Sequence, residues 1–65
     1  MNGIDPYAYM QQAAGRIEHL DQAQLNDLLD ELEYLFEVIP PELQDLAEGL
    51  MERVRQRLSQ LGQLG

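Results

Sequence analysis

The sequence predicts an all-α protein, a small three-helix bundle built on a long antiparallel helical hairpin. Two observations carry this. Apolar residues recur at helical spacing through two long runs, Leu25 to Ile39 and Leu43 to Leu61. Those runs are joined only by Pro40-Pro41, a link so short that the two helices must lie side by side and antiparallel. At 65 residues the chain makes one domain, 1–65.

The first helix is expected over about 6–19, after a loose lead at 1–4. Asp5 serves as its N-cap and Pro6 as its first residue, where a missing N–H costs nothing. Its buried stripe reads Tyr7, Met10, Ala14 and Ile17, with Ala13 and Leu20 at the margins. Gly15 sits inside it at a cost of about 1 kcal/mol relative to Ala. Gly15 is read as a tolerated weak spot rather than as a hinge or a close helix approach.

The second helix, about 21–39, has the form of a capping box. Asp21 is followed three residues on by Gln24, and Leu20 and Leu25 occupy the staple positions on either side. Leu25, Leu28, Leu29, Leu32, Leu35, Phe36 and Ile39 share one face. The proline after Ile39 discourages the helical conformation there, so Ile39 is expected to be the last residue of the helix or nearly so.

The third helix, about 41–61, begins on one of the prolines, with Glu42 in its first turn. Leu43, Leu46, Ala47, Leu50, Val54, Leu58 and Leu61 form its stripe. Gly62 is placed as a C-terminal cap with Leu64 folding back, and residues 62–65 are expected to fray. The two leucine stripes run roughly 27–31 Å each at about 1.5 Å per residue. The short first helix can cover only part of that surface, so the expectation is either a modest three-helix monomer or a homodimer that buries the remaining leucines in a larger bundle.

Charge is the most unusual feature. Twelve acids stand against four arginines, lysine is absent, and the formal net charge is −8. Every acid but Asp5 falls between Arg16 and Arg53, a span without Lys or Arg. Such a surface repels phosphate backbones, so direct nucleic-acid binding is not expected, and a basic protein surface is the favoured partner. Acidity of this kind also keeps a small protein soluble. The opening residues lack a basic n-region and no stretch reaches membrane-spanning length, so neither signal peptide nor membrane contact is expected, and the cytoplasm is the expected setting.

Chemistry is sparse. Without cysteine there is no thiol chemistry, disulfide or Cys-based zinc site. His19 has no second His and is read as a helix C-terminal residue favoured by the dipole. No acidic segment has the alternating pattern and central Gly of a calcium loop. Carboxylates on a solvated face lack the cleft that raises one pKa for acid–base work. The reading is a non-enzyme without cofactor or metal. Leu25-Asn-Asp-Leu-Leu29 matches a short groove-docking pattern, but those leucines are required by the core.

The candidate partner-binding residues are Tyr34 and Val38, an apolar island one turn long, with Asp27, Asp30, Glu31 and Glu37 around it on the second helix and Asp45 and Glu48 on the third. Tyr is favoured at the centre of such surfaces. Tyr7 and Tyr9 allow a weaker version of the same argument. Arg53 and Arg57 flank the apolar stripe, where their stems can cover leucines while their heads meet acids of a neighbouring helix. The expected function is therefore an acidic helical interaction module, an adaptor or inhibitor, with a nucleic-acid mimic as one version of it. The alternative is a structural homo-oligomer that spends its leucines on itself.

Overall fold

The computed structural model describes residues 5–64. Three α-helices account for most of them: α1, Pro6–Arg16; α2, Gln22–Val38; and α3, Pro41–Leu64. A single 3₁₀ turn, Ile17–His19, follows α1. The molecule measures 40 × 21 × 16 Å, close to the length of its longest helix. The architecture is the all-α bundle that the periodicity predicts, with α2 and α3 sharing the most extensive contact.

Each boundary has a local cause. The Asp5 side chain accepts the Tyr7 N–H at 3.1 Å, and Pro6 opens α1. The Asp21 carboxylate accepts the Gln24 N–H at 2.8 Å while the Gln24 side chain accepts the Asp21 N–H at 3.0 Å, so the capping box is complete. Two orphan N–H groups of α2 are satisfied by that exchange. At the other end Ile39 is extended, with φ −86° and ψ 157°, as the following proline demands. Its N–H still reaches the Leu35 carbonyl at 2.9 Å, and the Gln44 side chain donates to the Phe36 carbonyl at 3.2 Å. The hairpin's second helix thus closes off the carbonyls at the end of its first.

The core is made of Met10, Ala13 and Ile17 from α1 and its 3₁₀ extension, Leu25, Leu28, Leu32 and Ile39 from α2, and Ala47, Leu50, Met51 and Val54 from α3. No polar side chain is buried among the described residues. Leu25, Leu32, Ala47 and Val54 are 0 % exposed and mark the seam of the hairpin. α1 runs antiparallel to α2, with Tyr9 beside Glu31 and Leu20 beside Gln24. It lies on one flank of the hairpin. The other flank carries the Arg55–Glu33 ion pair at 4.0 Å.

Several expectations need correction. Tyr7 is 49 % exposed and Ala13, not Ala14, fills the core under α1. The narrow alanine face lets α1 settle with Ala13 inward and Tyr7 turned out. Leu46 is 38 % exposed, because it faces the shallow groove between α1 and α3, where Ala14 is too small to cover it. Met51, missing from the expected stripe, is buried. It shares a helical face with Ala47 and Val54, and that face sits slightly round from the one the leucines alone suggest. The last helix does not stop at Leu61. Gly62 is helical, not left-handed, and α3 continues to Leu64. The lead at 1–4 and Gly65 lie outside the described residues, as does the Leu64 side chain on which the expected fold-back rests.

Gly15 has open space around it, as does Gly49 on α3. Neither marks a close helix approach. Gly15→Ala and Gly49→Ala are each expected to raise unfolding free energy by about 0.5–1 kcal/mol in urea melts, since only backbone entropy is at stake. Asp21→Ala should lower it by about 1 kcal/mol through loss of the cap. Leu32→Ala should lower it by about 2–5 kcal/mol. A neutral result for Asp21→Ala would mean that the capping box contributes nothing to α2.

Candidate partner-binding face

Because α1 docks on one flank of the hairpin, it divides the acidic surface. On its α2 side stand Asp27, Asp30 and Glu31; on its α3 side stands Asp45. Glu37, Val38 and Glu48 are exposed and line none of the clefts beside α1. Tyr34 is 70 % exposed and Val38 59 %. The candidate residues therefore form an α2 group around Tyr34 and a separate α3 group, not one continuous patch.

Two clefts follow the line between α1 and α2. The first, about 320 Å³, is bounded by Tyr9, Gln12, Ala13 and Arg16 on one wall and Gln24, Asp27, Leu28 and Glu31 on the other. The second, about 430 Å³, lies nearer the start of α1 and is lined by Pro6, Tyr9, Asp30, Glu31, Tyr34 and Leu35. Tyr9 and Glu31 stand between them and border both. The Tyr9 hydroxyl donates to the Glu31 carboxylate, which fixes the ring as a wall between α1 and α2. A carboxylate has room for about four donors, so Glu31 keeps most of its accepting capacity.

Tyr9 is half-buried. Burial comes first, then the hydrogen bond to Glu31 and that carboxylate's charge, and together they push its phenol up to about 12, against a smaller opposing pull from Arg16. The protonated phenol is thus favoured by folding.

The arginines are placed differently from expectation. Arg55, not Arg53, makes the ion pairs found among the described residues, to Glu33 at 4.0 Å and to Glu52 at 3.8 Å. Both pairs are more than half exposed and contribute little to stability. Arg57 reaches across to the 3₁₀ turn, donating to the Glu18 carbonyl at 3.5 Å and to Gln60 at 3.2 Å, while its Nε is buried without a partner. The α2 acids Asp27, Asp30, Glu31 and Glu37 gain no ion pair from any described residue. Their negative field is left for the surroundings.

Among the described residues no cluster of His, Cys, Asp or Glu converges to hold a metal ion, and no helix is long and apolar enough to cross a membrane. Sequence reasoning gave Tyr9 little weight and assigned Leu35 wholly to the core. Their meeting with Tyr34 depends on which flank α1 takes, and no local pattern carries that. No family model, curated protein or solved structure matches the chain.

Because the folded protein holds the Tyr9 proton more tightly than the unfolded chain, the contribution of this group to stability is fully present below about pH 10 and is lost as pH rises through about 12. The difference between the phenolate absorbance titrations of the native chain and of Tyr9→Phe should have its midpoint near 12. A difference curve centred near the ordinary tyrosine value of about 10 would show that Tyr9 is neither buried nor bonded to Glu31 in solution as it is here.

Proposed function

We propose that the protein is a small acidic interaction module, an adaptor or inhibitor, that binds a basic surface of another protein through the α1–α2 side of the bundle. The observation that supports this most is the combination at Tyr34. A large, exposed aromatic ring stands among Asp27, Asp30, Glu31 and Glu37, carboxylates that form no ion pair with any described residue. Apolar area supplies affinity at such a surface, and the unscreened charge supplies steering and choice of partner. Mimicry of a nucleic acid is a special case of the same reading, in which the basic surface is a nucleic-acid groove. The chain works in this reading without catalysis, cofactor or membrane, and the cytoplasm is its proposed setting.

The test is a panel of peptides, basic, neutral and acidic, with apolar residues interspersed. Affinity for the full chain is measured by fluorescence anisotropy at about 0.15 M and about 0.5 M salt, where the Debye length falls from about 8 Å toward 3 Å. Basic peptides should bind, weaken markedly with salt, and lose affinity to a chain carrying Asp27→Lys and Asp30→Lys. Binding that ignores peptide charge, or that is unmoved by salt, overturns the proposal.

A second reading has its own support. On the flank opposite α1, Leu29 lies one turn before Glu33 and Leu58 nearly one turn after Arg55, and both leucines are only half-buried. Phe36, Leu43 and Leu61 are half-buried as well. A homodimer packed through this flank would cover them. Light scattering should then give twice 7.5 kDa, and Leu29→Glu with Leu58→Glu should return the mass to that of one chain. A native mass of one chain removes this reading. Substitutions at Leu32 or Leu50 do not test it, since both are buried inside the single bundle.

A further inference from the structure

We infer that the cleft between the first turn of α1 and the middle of α2 is an anchor site for one arginine side chain of a basic partner peptide, with the guanidinium held by the tyrosine rings and paired with Asp30 and Glu31. This rests on the interaction-module reading and names the group that its surface selects.

The lining has the three parts that arginine needs. Pro6 and Leu35 offer apolar surface for the aliphatic stem, which packs on such groups while its head stays polar. Tyr9 and Tyr34 offer aromatic faces, on which a planar guanidinium stacks and gains cation–π attraction. Asp30 and Glu31 both line the cleft, and either carboxylate can take the forked N–H donors of the same group through its two oxygens. Glu31 is held in place by the Tyr9 hydroxyl, so part of the site is ordered before anything binds. Ordering in advance reduces the entropy lost on association.

Charge complementarity singles out the occupant. The chain's net charge is −8, its ion-paired arginine is across the hairpin on the flank away from α1, and Arg16 borders the neighbouring cleft rather than this one. An anionic or neutral ligand would meet two carboxylates that form no ion pair with any described residue. A lysine would satisfy the charge, but its compact ammonium neither stacks on a ring nor forks between two carboxylates. At about 430 Å³ the cleft is open enough for one such side chain entering from a bound peptide.

The experiment uses the isotope-labelled full chain and three short peptides that differ at one central residue: arginine, its neutral isostere citrulline, and lysine. The arginine peptide should shift the Tyr9 and Tyr34 ring signals and the Asp30 and Glu31 amides, and bind at least about 10-fold tighter than the citrulline peptide, a difference of about 1.4 kcal/mol. Lysine should be intermediate. Tyr34→Ala should weaken the arginine peptide by roughly 3- to 30-fold and Tyr34→Phe by less than about 2-fold, since the ring face is what is used. Tyr34 is mostly exposed, so neither change touches the core, and the helical circular dichroism of both variants should match that of the native chain.

Equal binding of arginine and citrulline, or shifts confined to the Asp45 and Leu46 side of α1, overturns the inference. So does binding that appears only when residues 1–4 are removed, which would assign the cleft to the chain's own leading segment. If basic peptides still bind in a salt-sensitive way while Tyr34→Ala has no effect, the module reading survives and the arginine anchor fails. If no basic peptide binds at all, both fail.

Discussion

Everything in this protein depends on the seam between α2 and α3. Leu25 and Leu32 meet Ala47 and Val54 there with no exposure to solvent. The Pro40-Pro41 link holds the two helices at that seam. It bars Ile39 from continuing α2 and offers Pro41 as a ready first residue for α3. A chain of this size buries only about 60 % of its potential surface, so it has few core residues to spare. α1 adds Met10, Ala13 and Ile17 to one flank and leaves the other with half-buried leucines.

That asymmetry shapes the proposed binding surface. Had α1 lain on the opposite flank, Tyr9 would face Glu33 and Arg55 rather than Glu31, and the Tyr34 cleft would not exist. With α1 where it is, one aromatic ring of α1 and one of α2 wall the same cleft, with two carboxylates between them. The local ionic balance points the same way. Arg55 is occupied with Glu33 and Glu52, and Arg57 with the 3₁₀ turn, so Asp27, Asp30, Glu31 and Glu37 have no ion-pair partner among the described residues. Repulsion among those acids works against compactness, and the leucine seam offsets it. An acidic face that adds nothing to the stability of its own helix is suited to a partner.

The elements themselves were legible because their causes are local. Asp5-Pro6, the Asp21–Gln24 box and Pro40-Pro41 each act within a few residues, and each sets a boundary where the pattern places it. Errors arose where a choice belongs to the neighbours. Ala13 and Ala14 are equally apolar, and only docking selects between them. Leu46 looks like core until the helix opposite proves too small to cover it. Met51 is one residue off the leucine pattern and is buried because α2 happens to face it. Gly62 reads as a stop, yet nothing in the last turn requires a left-handed residue and the helix runs on.

The sequence by itself therefore determined the all-α class, the three helices, the antiparallel hairpin and the sign of the surface. Periodicity, caps and formal charge are properties of short segments and survive without tertiary context. The flank taken by α1, the partition of the acids into two groups and the cleft at Tyr34 were decided only by the tertiary structure. Each is a relation between residues about 20 or more positions apart, such as Tyr9 with Glu31. Two nearly equivalent flanks differ there by a few side-chain fits, and that small difference is written in the packing rather than in any one stretch of the chain.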